Sequence, residues 1–214
     1  MKADFKLYDL VSKIIPGFII YEILNILYGT YLPEISILPQ IALAYFIGFF
    51  IDAVSGWLED LIYFRSWNGK PSDNLLNGDG MKYIKFHEDI KATKELNKIT
   101  GNENSTNDEL FEVAERIALS ESESRIHDLA ASYSFARSIL TTFLIIVIIL
   151  LISVVRICST YNNAVFYISL SVCLILAFGT WYRAKERAYY YVKEVLMNFL
   201  TIMEKVKEVE TGKD

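Results

Sequence analysis

The sequence predicts an all-α membrane protein with four transmembrane helices, continued cytoplasmic helices and a small helical insertion. The chain has 214 residues, of which 53% are hydrophobic, slightly above the range of about 45–50% usual for soluble domains. The apolar residues are concentrated in four stretches, each long enough to cross a bilayer core of roughly 30 Å. These stretches are residues 14–32, 35–56, 138–155 and 164–182. No convincing alternation typical of strands accompanies them.

The last two stretches are the strongest predictions of spans, because residues 139–155 and 164–182 contain no charged side chain. The first two are interrupted, among others by Pro16, Glu22 and Pro39. Two transmembrane helices, or a re-entrant hairpin in place of the first pair, are therefore the alternatives. A cleaved signal peptide is disfavoured, since Glu22 lies inside the apolar region and no small-residue cleavage site follows it.

Four segments follow from this pattern. They are a transmembrane hairpin over residues 1–56, a cytoplasmic helical region over 57–137, a second hairpin over 138–182 and a cytoplasmic helical tail over 183–214. Cytoplasmic segments are enriched in Lys and Arg, and all but one of the 21 basic residues lie in the leader, the central region and the tail. We therefore expect both termini and the central region to be cytoplasmic.

The central region begins with turn formers, which predict a loop over residues 66–80. Residues 85–100 predict a helix that ends at Gly101, because glycine is a common stop at helix C-termini. Ser105 and Asp108 have the spacing of a helix-starting cap. Since no helix breaker follows, we expect one long helix from about Asp108 into the third span.

The tail shows the same lack of breakers. Residues 182–209 contain neither proline nor glycine, the two residues that most strongly disfavour a helix interior. The fourth span should therefore continue as a helix well beyond the membrane.

The most informative feature lies where the second span ends. Four residues there are separated by four, four and three positions, which places them on one helical face: Gly48, Asp52, Gly56 and Glu59. A carboxylate left in lipid costs several kcal/mol and needs water or a partner. In a homo-oligomer, the two acids would form rings that select cations, and the two glycines would permit close approach of helices.

Trp57, inside the same segment, is then a constriction or gate near the cytoplasmic mouth of the pore. The alternative is that Asp52 pairs with a basic side chain such as Arg137, while Trp57 anchors the helix at the membrane interface. The sequence leaves both interpretations open.

A basic face is the candidate ligand site. It consists of His87, Lys91, Lys94 and Lys98 at helical spacing, with Lys82 and Lys85 just upstream. Such a row can follow the phosphates of a nucleotide or a single-stranded oligonucleotide. The alternative is a solvated face whose lysines pair with nearby acids such as Glu88, Asp89 and Glu95.

Motifs of known enzyme classes are not recognisable in the sequence. Glu123 and His127 lie one helical turn apart, but two or three ligands without a further cluster are weak grounds for a metal site. We therefore expect no enzyme activity, no cofactor and no metal. A membrane enzyme that uses His87, His127 and nearby carboxylates is the least favoured alternative.

The layout resembles the small membrane effectors of bacterial anti-phage systems. Residues 124–140, marked by Arg125, Tyr133, Phe135 and Arg137, are similar to the start of a membrane span in such proteins, and the Hailong membrane effector is the family most similar in layout. This resemblance implies a homo-oligomeric channel that single-stranded DNA oligomers hold closed. It also implies a nucleotidyltransferase encoded nearby and a location in the bacterial inner membrane.

We therefore expect a homo-oligomeric ion channel, with a tetramer favoured, that contacts the lipid bilayer and is gated by an acidic nucleotide or a single-stranded DNA oligomer. An alternative from a different class is a non-conducting membrane scaffold that recruits a soluble partner enzyme.

Overall fold

The computed structural model describes residues 3–28, 36–102, 105–120, 124–154 and 163–211. The regular structure of these ranges is helical, and they contain no strand. The helices are α1 (Ala3–Tyr28), α2 (Ile37–Leu58), α3 (Phe64–Ser66), α4 (Pro71–Leu76), α5 (Asp89–Thr100), α6 (Asn107–Ser120), α7 (Ser124–Ile152) and α8 (Asn163–Thr211). A π-helical turn, Glu59–Tyr63, joins α2 to α3. The predicted all-α class is confirmed.

Four helices of the described ranges are long and apolar enough to cross a membrane. They are Leu10–Tyr28, Ile37–Ser66, Arg125–Ile152 and Asn163–Val209. This confirms the predicted number of candidate spans. The last helix also continues to Thr211, as the absence of breakers in the tail predicts.

The chain divides into two compact units. Unit 1 consists of Met1–Leu61 and Ala131–Ala184, and unit 2 of Ile62–Ala130 and Lys185–Asp214. In unit 1, side chains from α1, α2, α7 and α8 form an apolar cluster: Ile20, Ile51, Ile146, Leu150 and Phe166. Many other apolar side chains of this unit are exposed, which is the pattern of helices that face lipid.

Within unit 1, α1 and α2 pack in unusually close contact. A Cβ added to Gly17 would lie 1.7 Å from the carbonyl oxygen of Ala44, and one added to Gly48 would lie 1.7 Å from that of Lys13. Both positions therefore require glycine, because any side chain would separate the helices. Further along the pair, Gln40 donates a hydrogen bond of 3.1 Å to the carboxylate of Glu22.

Unit 2 has a continuous apolar core. Its buried side chains come from α4, α5, α6, the start of α7 and the end of α8, and include Leu75, Leu96, Leu110, Ile126, Leu196 and Phe199. A core that contacts so many elements is what an independently packed helical unit requires.

Several local predictions for unit 2 need correction. The segment predicted as a loop contains the short helix α4, because Pro71 stands at the first helical position, where its missing N–H costs nothing. The helix predicted over 85–100 begins only at Asp89, although it ends as expected, with Gly101 in the left-handed conformation at φ +67°.

The cap of α6 is also displaced by one residue. The Thr106 hydroxyl accepts a bond from the Glu109 N–H at 3.3 Å, and the Glu109 carboxylate accepts one from the Thr106 N–H at 2.8 Å. This reciprocal pair is a capping box. The predicted pair of Ser105 and Asp108 does not form it. The uninterrupted helix expected from Asp108 is described as α6 and α7, and residues 121–123 between them, including Glu123, lie outside the described residues.

Candidate functional site

The strongest candidate site lies between α2 and α7, inside two of the apolar helices. Asp52, Glu59 and Arg137 meet there, and we name these three residues the charged cluster. The Arg137 guanidinium contacts the Glu59 carboxylate directly, and its Nη2 lies 3.8 Å from Oδ1 of Asp52. The side chains are 18% exposed for Arg137, 19% for Glu59 and 29% for Asp52.

Hydroxyl groups complete the coordination of both carboxylates. Ser134 and Ser138 donate to the same Oδ1 of Asp52, at 3.3 and 3.0 Å. Tyr133 donates to Oε1 of Glu59 at 2.5 Å. Hydrogen bonds to a carboxylate are roughly twice as strong as those between neutral groups, so these hydroxyl contacts hold both side chains in place.

Arg137 is held by a second set of contacts. Its Nε donates to the Ser55 hydroxyl at 3.1 Å, and the Ser55 side chain is fully buried. The guanidinium also lies 5.6 Å from the centre of the Tyr133 ring, within the range of a cation–π contact. A single guanidinium thus joins two carboxylates, and the three residues carry a formal excess of one negative charge.

The helical periods explain why these side chains meet. Asp52 and Ser55 on α2 and Glu59 at the start of the π-helical turn recur at intervals of three and four. On α7, Arg137 and Ser138 lie three and four positions after Ser134. Each set therefore forms one polar stripe on an otherwise apolar helix. Arg137 is the partner that the sequence suggests for Asp52. The serines and Tyr133 were not predicted as further partners, although their spacing around Arg137 on α7 indicates a shared polar face.

The other members of the predicted stripe lie apart from this cluster. Gly48 packs against the backbone of α1 in the same chain, so its close approach is intramolecular. A Cβ at Gly56 would meet no heavy atom within 4 Å, and Trp57 is 72% exposed. The residues of the predicted stripe therefore have different surroundings. Gly48 packs against α1, Asp52 and Glu59 belong to the charged cluster, and Gly56 lies on an open face.

Only half of the six basic residues predicted to form the ligand site lie on one helix. His87 precedes α5, which begins at Asp89 because Glu88 has a non-helical backbone, so the prediction that His87 continues the helical row is wrong. Lys82 and Lys85 also lie before the helix, and Nζ of Lys82 stands 5.4 Å from the ring centre of Tyr83. Lys91, Lys94 and Lys98 share α5.

Two of these lysines have acidic partners in unit 2. Lys91 binds Glu204 at 2.5 Å, and this hydrogen bond is the main reason that the pKa of Lys91 is raised. Lys98 binds Glu95 at 3.0 Å. The pKa of Glu95 is lowered, first by its hydrogen bond from Lys207 and then by that from Lys98.

The remaining basic residues are exposed. Within the described ranges, Lys85, His87 and Lys94 form no ion pair. The ammonium groups of Lys85 and Lys94 are therefore available to an anion, whereas Lys91 and Lys98 would have to give up their contacts with glutamate to bind one. A group of side chains with the composition of a metal site is not found among the described residues.

Comparison with models of known protein families, with curated proteins and with solved structures finds no match to this chain.

Proposed function

We propose that this protein is a homo-oligomeric ion channel of the bacterial inner membrane, gated by an acidic nucleotide or a single-stranded DNA oligomer in anti-phage defence. The charged cluster is the observation that carries the proposal. An ionisable group within a membrane helix is costly and rare, and such groups mark functional sites that include ion pathways. A tetramer with cytoplasmic termini is the assembly that we favour.

The composition of the cluster fits a cation pathway. Two carboxylates share one guanidinium, so each copy contributes one unbalanced negative charge where Asp52, the most exposed of the three, meets its surroundings. Rings of acidic side chains select cations when several copies surround a pore. In a symmetric oligomer, the cluster would repeat once per subunit.

The shared guanidinium also provides a gate. Arg137 lies in direct contact with Glu59 and at 3.8 Å from Asp52, so a small shift of α7 along α2 changes which carboxylate it neutralises. Packed interfaces tend to have discrete alternative arrangements, which lets small shifts act as switches. Loss of the contact with Asp52 would leave that carboxylate free to attract cations.

The ligand would act through helices that contribute residues to both units. α7 and α8 each supply residues to the apolar core of unit 2 and to unit 1. The exposed Lys85 and Lys94 offer an anion its first contacts. A ligand that binds one arrangement of α7 better than another shifts the population of the gate by that difference in affinity.

The proposed cation pathway can be tested by measuring cation flux across the membranes of liposomes that contain the purified protein. Neutralising Asp52 in Asp52→Asn should lower flux by about tenfold, the effect of adding ~1.4 kcal/mol to the barrier. Glu22→Gln is the matched control, because it neutralises another carboxylate of the apolar helices that is bonded to Gln40 and lies outside the cluster. Equal flux in wild type and Asp52→Asn would remove Asp52 from the pathway.

A non-conducting scaffold is the second candidate function. Tyr83 is 78% exposed and Ile90 80% exposed, and two large apolar side chains beside several lysines are suitable for contact with a soluble protein. Liposomes that show no flux under any condition, together with a soluble enzyme that co-purifies with wild type and not with Tyr83→Ser, would favour this function over a channel.

A further inference from the structure

An open groove of about 810 Å³ lies along α5 in unit 2. Its volume is in the range of small-molecule sites, which is roughly 300–1,000 Å³. The groove combines apolar, neutral polar and basic side chains. It is lined by Leu76, Ile90, Thr93, Lys94, Asn97, Lys98 and Gly101.

Two polar atoms of this lining lack partners. Oγ1 of Thr93 and Oδ1 of Asn97 are buried, and neither has a hydrogen-bond partner among the described residues. They lie one helical turn apart on α5, so both belong to the same wall of the groove. Buried polar atoms in folded proteins are nearly always paired, and an unpaired one needs a reason. A ligand that supplies hydrogen-bond donors is such a reason.

The rest of the lining defines the ligand further. Lys94 and Lys98 also line the groove, and each follows an unpaired polar residue of α5 by one position. Lys94 has no acidic partner in the described ranges, whereas Lys98 is bonded to Glu95. Leu76 and Ile90 add apolar surface. This lining suits an anion that also carries an apolar face and hydrogen-bond donors.

We propose that the groove selects the base of a bound nucleotide unit. A base with an exocyclic amino group donates to Asn97 and Thr93, its face packs on Ile90, and the adjoining phosphate contacts Lys94 and Lys98. This inference rests on the proposed function, which it deepens by assigning base selection to two neutral residues. Phosphate contacts hold a strand whatever its sequence, and contacts to base edges specify it.

Binding of short single strands to the full-length protein in detergent tests the assignment. The probes are fluorescent pentamers of deoxyadenylate, deoxycytidylate and deoxythymidylate, of which only the first two bases carry an exocyclic amino group. We expect these two to bind about five- to tenfold more tightly than the deoxythymidylate strand, the discrimination of one good set of base contacts.

Two substitutions of similar size remove the oxygen atoms that would accept from the base and leave the lysines unchanged. Thr93→Val and Asn97→Leu should abolish the preference while the deoxythymidylate strand keeps its affinity. Both changes replace unpaired buried polar atoms, so the variants should fold at least as well as wild type. Thr201→Val is the matched control, because the Thr201 hydroxyl is exposed and bonded to the Met197 carbonyl on α8. Lys94→Gln should weaken all three strands to the same degree.

The outcomes separate the two proposals. If no strand binds, both the oligonucleotide ligand and the groove assignment are overturned. If the three strands bind wild type equally, as they would if water alone fills the groove, only the base selection is overturned. The same holds if the preference survives in Thr93→Val and Asn97→Leu.

Discussion

The two units use oppositely charged pairs in different environments. In unit 1, Arg137 is 18% exposed and contacts two carboxylates that are themselves shielded. In unit 2, Lys91 is 46% exposed and its partner Glu204 56% exposed. Exposed pairs contribute about 0–1 kcal/mol, whereas removal of one member of a shielded pair costs about 3–5 kcal/mol. The shielded pairs therefore contribute more to the stability of unit 1 than the exposed pair contributes to that of unit 2.

The apolar side chains differ between the units in the same way. Unit 2 buries large residues such as Leu196 and Phe199 completely in its own core. Unit 1 leaves large residues uncovered on α2 and α8, with Phe50 at 55% exposure and Phe178 at 70%. Exposed apolar faces of this extent are stable in a bilayer and costly in water. The distribution of exposure therefore distinguishes the lipid-facing unit from the polar one.

The largest expected effect is the loss of Arg137. Arg137→Gln leaves Asp52 and Glu59 shielded without a cation, and we expect the free energy of unfolding in detergent to fall by about 3–5 kcal/mol. Arg116→Gln, which removes an arginine 74% exposed and paired with Glu112, should change it by less than about 1 kcal/mol. Similar losses in both variants would show that shielding does not distinguish the two pairs.

The next largest effect is the difference in stability between alanine substitutions at the two glycines of α2. Gly48→Ala places a Cβ against the backbone of α1, where the nearest atom would be 1.7 Å away, and the strain should cost about 1–3 kcal/mol. Gly56→Ala meets no atom within 4 Å and should be neutral or stabilising by up to ~1 kcal/mol, since alanine is the better helix former. Thermal unfolding of the purified variants measures both, and a destabilised Gly56→Ala would reveal a neighbour outside the chain.

The smallest effect concerns Glu95 in unit 2. Its pKa is lowered from the ordinary value of 4.5 by hydrogen bonds from Lys207 and Lys98. Its contribution to stability is thus fully present above pH 4.5 and lost as the pH falls through the lower pKa of the folded state. The difference in unfolding temperature between wild type and Glu95→Gln should narrow on acidification below that value.

Glu112→Gln serves as the control for this pH dependence, because Glu112 is 72% exposed. Its difference from wild type should stay close to zero across the same range. A Glu95→Gln difference that is constant with pH would mean that the two lysines contribute nothing to the stability of unit 2.

Much of the fold is predictable from local patterns. The spans follow from apolar stretches of bilayer length, and the end of α5 follows from Gly101. The incorrect local predictions lie at helix starts, where neighbouring residues compete for one cap. In α6 the capping box is formed by Thr106 and Glu109. The predicted pair is Ser105 and Asp108. The predicted helical row that includes His87 fails at the same kind of position, because spacing alone does not locate the first helical residue.

The sequence by itself determined the class of this protein, the four apolar helices and the presence of acids where the second of them ends. These properties depend on residues within a few positions of each other, where hydropathy and helical period act. Only the tertiary structure decided what the acids contact. Ser138 lies 86 positions from Asp52 and Arg137 lies 78 from Glu59, and contacts over such separations depend on how helices pack. The unpaired atoms of Thr93 and Asn97 likewise became visible only with their surroundings.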